Sequence, residues 1–406
     1  MKAPKLLLAV LVGTAALAVG GTASAQLEGK TVKIGVLTDE SGLFSSGGGL
    51  GSVAAARMAI EDFGGKVAGA KIELVDADHL NKADVGSSIA RQWFDQDGVD
   101  MIVDLQNSAV ALAVSEVARE KNKVAMVTGA AGLALTGEAC NPNTVHWVWD
   151  TYGNANALAL PLVKRGFKKW FYIAVDYSFG KELTGQAAKI VEANGGKTLD
   201  TVRHPLHTSD FGSYLLQAQS SGADMIALAN GGQDTALAIK QAHEFGVVGK
   251  DKASIVGLAT TIDDINSLGL KTTQGLYVAG AFYWNLNDKT RTWSERWSKL
   301  NKGRMPTAIQ AGAYSATLHY LKAVEAIKST DGKAVVEQMK KMPGEDILFG
   351  KGKLRQDGRY EHDMYLFEVK SPQESKEAWD YYKLIDTIPA EHAFRPMSDG
   401  NCPLVK

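Results

Sequence analysis

Most of this chain has neither an excess of charge of one sign nor a long apolar segment. Lysine plus arginine number 44 and aspartate plus glutamate 45, so no basic surface is indicated and nucleic acid is not an expected partner. Beyond the first 25 residues, no uninterrupted apolar run reaches the ~20 residues needed to span a bilayer. With 406 residues, 45% of them hydrophobic, the chain is typical of a folded globular protein with two domains.

Recognisable catalytic and cofactor motifs are also missing. The sequence contains no G-x-x-x-x-G-K-[ST], no G-x-S-x-G and no H-E-x-x-H. The glycine-rich loop 44–51 resembles a dinucleotide fingerprint, but it begins too far from the strand end and has Ala54 at the last glycine position. Two groups of residues could bind a metal ion or could simply belong to polar loops: His204 with His207, and Asp76 with Asp78 and His79. No enzyme, cofactor or metal is therefore expected.

The first 25 residues have the pattern of a secretory signal peptide. Lys2 and Lys5 precede a short apolar run over residues 6–19, and Ala23-Ser24-Ala25 is a small-x-small cleavage site. An uncleaved membrane anchor is the alternative, but the run is shorter than a bilayer span. We expect cleavage after Ala25 and a periplasmic mature protein.

Only two cysteines occur, Cys140 and Cys402. In an exported protein an even pair predicts a disulfide rather than a metal site or a nucleophile, the alternative being two free thiols. The bridge would tie a C-terminal tail, residues 386–406, to a position one third of the way along the chain.

After the leader, strand and helix patterns alternate twice in series. This order predicts an α/β protein with two doubly wound parallel-sheet lobes. The segment 148–153 is too short to be a flexible linker, and the long helical patterns after residue 283 need a sheet to cover. We therefore expect several crossovers that form a hinge. The predicted lobes comprise 26–150 with 284–345 and 151–283 with 346–385.

Polar, small-residue loops follow the strands of both predicted lobes. Open parallel sheets bind ligands at the carboxyl ends of their strands, and amides at helix N-termini attract carboxylates. Helix capping by polar residues and hinge packing by aromatic residues are the alternatives. The predicted ligand-binding residues are Phe44, Gln106, Asn107, Ser108, Gly129, Ala130, Ala131, Trp149, Tyr152, Tyr177, Gly232, Gln233, Thr260 and Tyr283.

Four segments carry a family resemblance: Lys33–Thr38 with Ser41-Gly42, Thr128-Gly129-Ala130, Asp176–Gly180 and Asn230-Gly231-Gly232. They resemble the leucine/isoleucine/valine-binding protein family of ABC importers along essentially the whole mature chain. The resemblance implies a type I periplasmic binding fold with three crossovers, a small carboxylate ligand and a membrane permease as partner. It also implies a carboxylate site at residues 107–108 and 129–131.

One departure from the family pattern concerns the ligand ammonium group. Amino-acid receptors of this family have an acidic residue near the position of Thr260, where this sequence is neutral. Asp234 or Asp263 could take the place of that acidic residue. Without any such partner, burying the ligand ammonium in a closed cleft would cost free energy. The ligand classes left open are a branched-chain or other hydrophobic amino acid and an aromatic or other small acid. An exported enzyme and a sensory ligand-binding module are the rival functions.

Overall fold

The computed structural model describes residues 27–249 and 252–405. The predicted signal peptide and its cleavage site lie outside the described residues. The strands are β1 (Thr31–Thr38), β2 (Lys66–Val67), β3 (Ala70–Asp78), β4 (Val99–Asp104), β5 (Val124–Val127), β6 (Thr144–His146), β7 (Lys169–Val175), β8 (Lys197–His204), β9 (Met225–Ala229), β10 (Ser254–Gly257), β11 (Tyr277–Gly280), β12 (Gly344–Asp346), β13 (Gly350–Leu354), β14 (Tyr360–Glu361), β15 (Met364–Val369) and β16 (Tyr382–Ile388).

Helices alternate with these strands. They are α1 (Gly49–Phe63), α2 (Ala83–Asp95), α3 (Ser108–Lys121), α4 (Thr151–Lys164), α5 (Ser178–Ala193), α6 (Gly212–Ser220), α7 (Gln233–Glu244), α8 (Ile262–Leu268), α9 (Leu270–Thr273), α10 (Asp288–Leu300), α11 (Ala308–Ile327), α12 (Gly332–Lys341) and α13 (Ala390–Ala393). Short 3₁₀ helices cover Leu133–Thr136 and Met397–Asp399.

The first lobe is built on a six-stranded sheet with the order β2-β3-β1-β4-β5-β6. All neighbours pair in parallel except β2 with β3. Strand β1 is buried on both faces: Val36 joins the apolar core on one side and Leu37 the core on the other. Helices α2 and α3 pack together on the Leu37 side, while α1 packs on α11. The sheet is therefore sandwiched between two helical layers.

The second lobe has a four-stranded parallel sheet with the order β10-β9-β7-β8. Strand β7 is apolar and aromatic because both faces are covered, and its residues from Trp170 to Val175 are buried. A third, antiparallel sheet, β11-β15-β16, contacts this lobe through α4. These observations confirm the predicted fold class of two doubly wound parallel-sheet lobes.

The chain crosses between the lobes at three places. It leaves the first lobe after β6, returns after β11 to form α10 to α12, and enters the third sheet through β15. The small sheet β12-β13-β14 lies beside the first lobe, where Arg359 bridges to His146 of β6. The exact residue bounds of the lobes stay a prediction.

A buried arginine holds the first crossover in place. Arg359 is fully buried, and its guanidinium donates hydrogen bonds to the carbonyl oxygens of Trp147 at 3.0 Å and Trp149 at 3.1 Å. Its charge faces Asp150 at 3.7 Å and the ring of Phe394, with the guanidinium carbon 4.1 Å from the ring centroid. The backbone that carries Trp149 is thereby fixed between the two lobes.

The predicted disulfide between Cys140 and Cys402 is confirmed. Strand β16 runs to Ile388, so the first residues of the predicted tail 386–406 belong to the third sheet. Two expectations for single elements need correction. The alternating pattern predicts no helix between residues 153 and 169, where the structure has α4. It predicts a strand over Gly275–Tyr283, of which only Tyr277–Gly280 is a strand.

Candidate functional site

A cleft of about 540 Å³ lies between the lobes at the carboxyl ends of the central strands. Eight of the predicted binding residues line it: Phe44, Gln106, Ser108, Gly129, Ala131, Trp149, Tyr177 and Gly232. Seven further residues complete the wall: Ser46, Gly47, Phe179, Gly231, Ala259, Thr261 and Ile309. Both lobes and the first crossover therefore contribute to one site.

Six predicted residues lie elsewhere. Thr260 and Tyr283 line a neighbouring hinge cavity of about 590 Å³, which shares Trp149 with the cleft. The other four, Asn107, Ala130, Tyr152 and Gln233, line neither space. Gln233 is exposed at the start of α7, and Tyr152 is half-buried in the first turn of α4.

The side chains of Gln106 and Asn107 are engaged within the protein. Gln106 accepts hydrogen bonds from the Thr38 hydroxyl and the Asp39 amide, both at 3.1 Å, and donates to the Phe44 carbonyl at 2.8 Å. Asn107 caps α3 by accepting from the Ala109 amide at 2.9 Å. These two residues position the cleft wall, and their polar groups are not its main binding groups.

The first lobe presents a set of hydrogen-bond donors to the cleft. Ser108 is the first residue of α3, and Ala131 precedes the 3₁₀ helix that begins at Leu133. Within the described chain, the amides of Ser108 and Ala131 and the Ser108 hydroxyl have no protein hydrogen-bond partner. The amide of Ala130 has none either, but this residue lies beside the cleft wall and does not line it. A helix of 14 residues adds its positive N-terminal end at Ser108. The arrangement can bind a carboxylate without a basic side chain.

The second lobe and the crossover present aromatic rings to the cleft. The Tyr177 and Phe179 ring centroids are 5.8 Å apart, and Trp149 meets Phe179 edge to face at 6.0 Å. Phe44 lies on the first-lobe wall. Burial, together with the nearby Asp234 carboxylate, raises the pKa of the Tyr177 hydroxyl, so this group is neutral at physiological pH. These rings can pack against an apolar or aromatic group.

The cleft wall carries no formal charge. Of the described residues that line it, none is Asp, Glu, Lys, Arg or His. Neither of the two acids that could have replaced the family's ammonium partner lines it: Asp263 is paired with Arg304 at 2.8 Å, and Asp234 is buried in the first turn of α7. A ligand ammonium would therefore lack a charged partner.

Three contacts join the lobes around the cleft. The Arg304–Asp263 pair connects the segment before α11 with α8. On the opposite side, the Glu182 carboxylate of α5 accepts a hydrogen bond from the Leu133 amide at 2.8 Å. The backbone of Gly232 approaches Leu43 so closely that a β-carbon would lie 2.6 Å from its carbonyl oxygen. The lobes are closed on each other in this structure.

The alternative metal sites find no support in the described residues. They contain no group of three or more His, Cys, Asp or Glu side chains that could hold a metal ion. His204 contacts the Asn230 amide at 3.0 Å, and Asp78 accepts from the Ser41 hydroxyl at 2.6 Å. Among the helices that the structure describes, none is long and apolar enough to cross a membrane.

Two closed α/β lobes, a hinge of three crossovers and a neutral cleft between them define a ligand-binding receptor. The chain matches the periplasmic binding protein family over residues 31–376 and belongs to that family. The predicted family is thereby confirmed.

Three relatives show the extent of this similarity. A periplasmic binding protein of Burkholderia mallei is 49% identical, covers 93% of this chain and 99% of its own, and superposes with a TM-score of 0.90. A branched chain amino acid ABC transporter periplasmic ligand-binding protein of Burkholderia xenovorans LB400 is 41% identical, with 92% and 100% coverage and a TM-score of 0.83. Leu/Ile/Val-binding protein homolog 6 of Brucella suis biovar 1 (strain 1330) is 26% identical over 56% of this chain. The match spans 58% of that relative's length.

Some cleft residues escaped the sequence analysis. Ile309 is brought to the site by α11, whose first turn is fixed by Thr307 through a capping box. The segment Pro306-Thr307 is a recognisable helix start, but no pattern indicates that this start meets the loops of the first sheet. Arg304 was missed for the same reason.

Proposed function

We propose that this protein is the periplasmic ligand-binding subunit of an ABC importer and that it binds small, largely apolar carboxylates without an ammonium group. Benzoate-type acids are the first candidates. The observation that carries this proposal is the uncharged cleft, which offers amide and hydroxyl donors on one wall and aromatic rings on the other.

The donors and the rings act on different parts of the ligand. A carboxylate at Ser108 and Ala131 accepts hydrogen bonds from the first lobe, while the apolar body packs on Tyr177 and Phe179 of the second. A ligand that touches both lobes favours the closed state over the open one, and this difference in affinity drives closure. The closed form would then be recognised by the membrane permease.

A branched-chain amino acid is the second candidate. It is favoured by the 41% identical Burkholderia xenovorans protein, which is described as a branched chain amino acid receptor. An ammonium group in this cleft would depend on neutral acceptors such as the Tyr177 hydroxyl, because the Thr261 hydroxyl is engaged in the capping box of α8. A buried ammonium without a charged partner costs several kcal/mol, and an acid that has no ammonium group avoids this cost.

Matched ligand pairs separate the two candidates. We would compare leucine with 4-methylpentanoate and phenylalanine with 3-phenylpropanoate, alongside benzoate, by thermal shift and calorimetry on the exported protein. A ligand at about 100 times its Kd stabilises the fold by roughly 2.7 kcal/mol. We expect the acids without an ammonium to bind more tightly. Stabilisation by the amino acids alone would reject the proposed ligand class.

We also propose that the leader is removed after Ala25 and that the mature protein is periplasmic. The family membership supports this location. Intact-mass measurement of protein released by osmotic shock should give a chain that begins at Gln26. A protein that stays in the membrane fraction with residues 1–25 attached would contradict it.

A further inference from the structure

A buried carboxylate lies directly below the floor of the cleft. Asp104, the last residue of β4, is fully buried, and its Oδ2 atom has no hydrogen-bond partner within the described chain. Asp104 and Leu105 have φ values of 90° and 60°, a region that non-glycine residues seldom adopt. The two unusual conformations turn the chain sharply at the strand end and lead it into the cleft wall at Gln106 and Ser108.

Two backbone segments of the cleft floor touch this carboxylate. A β-carbon on Gly129 would lie 2.8 Å from Asp104 Oδ1, and one on Gly48 would lie 2.8 Å from Oδ2. At both positions a β-carbon would come closer still to Gln106, so glycine leaves room for Gln106 as well as for the carboxylate. Gly129 lines the cleft and immediately precedes the Ala130 and Ala131 amides. The backbone at Gly129, with the Gln106 side chain beside it, therefore separates the Asp104 carboxylate from the proposed carboxylate site.

Among the described residues, the groups that act most strongly on Asp104 include no cation. The groups facing it are the hydroxyls of Thr38, Ser52 and Thr128, from β1, α1 and the end of β5, and the carboxylate of Asp39. Burial is the main cause that raises the pKa of Asp104 to about 7, and the Asp39 charge adds to it. The three hydroxyls act in the opposite direction.

We propose that Asp104 couples binding of a carboxylate ligand to the uptake of one proton from solvent. This inference rests on the proposed function and adds the residue that makes binding depend on the ligand's charge. An ionised Asp104 repels a second anion on the other side of the Gly129 backbone, whereas a protonated Asp104 does not. The ligand stays ionised, and the proton resides on Asp104 in the complex. A net negative ligand is therefore taken up together with a proton.

The test measures proton uptake directly. Benzoate, 3-phenylpropanoate and 4-methylpentanoate are titrated by calorimetry at about pH 8 in two buffers of different ionisation enthalpy. We expect an uptake that approaches one proton per ligand, and a Kd that weakens by up to about tenfold per pH unit above about pH 7. The Asp104→Asn variant should show almost no uptake and a flat pH dependence. The proton uptake of the wild-type protein can be measured even if the Asp104→Asn variant does not fold.

Asp100→Asn is the matched control. Asp100 lies on the same strand but pairs with Lys123 at 2.7 Å, so its replacement should leave the proton uptake unchanged. Tight binding of a carboxylate without proton uptake would overturn the role of Asp104 and leave the proposed function intact. Binding of amino acids but of none of the three acids would overturn both.

Discussion

The ion pair between Arg304 and Asp263 gives a direct test of lobe closure. Arg304 precedes α11, which packs on the first lobe, and Asp263 lies in α8 of the second. The Arg304 guanidinium also donates to the Ser46 carbonyl at 3.2 Å in the cleft wall. Opening of the lobes separates Arg304 from Asp263, so the ion pair stabilises the closed state and not the open one. Replacing Arg304 with alanine should shift the equilibrium towards the open form.

The size of this shift follows from burial. Asp263 is only 7% exposed, so its burial raises the pKa, and the Arg304 charge opposes that rise. Breaking a fully buried pair costs about 3–5 kcal/mol, whereas exposed pairs contribute about 1 kcal/mol or less. Because the Arg304 side chain is 43% exposed, we expect about 1–2 kcal/mol. For a free protein that is mostly open, this weakens the apparent Kd by about five- to thirtyfold.

Two measurements check the prediction. Small-angle scattering reports the open fraction with and without 3-phenylpropanoate, and calorimetry reports the Kd. Arg91→Ala is the matched control, since it breaks a pair with Glu120 inside the first lobe. Asp263→Asn added to Arg304→Ala should restore part of the affinity by removing the stranded charge. If Arg304→Ala closes and binds like the wild-type protein, the pair does not hold the lobes together.

Three other changes have calculable effects. Replacing Cys140 and Cys402 with serine opens a loop of 262 residues and should lower the free energy of unfolding by up to about 6 kcal/mol. Denaturant titration measures this change, and an unchanged midpoint would show that the bridge adds no stability. Ser108→Asp should abolish carboxylate binding at constant melting temperature, and Ser108→Ala should weaken it about tenfold in calorimetry; equal effects would misplace the carboxylate site. Because the pKa of Asp104 is raised, its contribution to stability is present below about pH 4 and is lost as the pH rises through about 7. Asp104→Asn should therefore increase the free energy of unfolding by up to about 4 kcal/mol at about pH 8 and by little at about pH 4, and parallel pH profiles would refute this.

The sequence predicted the architecture because the sheets leave a local signal. Strand β1 contains the segment Lys33–Thr38, and its residues from Ile34 to Thr38 are buried because helices cover both faces of the sheet. Helix α4 was missed for a related reason: it is buried on nearly all sides, so its sequence shows no alternation of polar and apolar faces. The disulfide was predictable because only two cysteines occur.

The roles of individual side chains were harder to predict. Gln106 and Asn107 have the right chemistry for a ligand, but the buried backbone groups around them need the same hydrogen bonds. The contact of Arg304 with Asp263 joins segments that only the closed fold brings together. Residue type and strand position indicate where a site lies, whereas the competition between ligand and protein for each polar group is decided by three-dimensional contacts.

Ligand size is limited by the same contacts that close the lobes. Phe44 lines the cleft, while its neighbour Leu43 meets the backbone of Gly232. Gly232 has a φ of 60° and no room for a β-carbon, so the loops that carry Leu43 and Gly232 are in direct contact in the closed state. A ligand too bulky for the closed cleft would hold the loops of Leu43 and Gly232 apart, and the contacts that close the lobes would be lost. Selectivity therefore depends on the fit of the ligand to the closed cleft as well as on its charge.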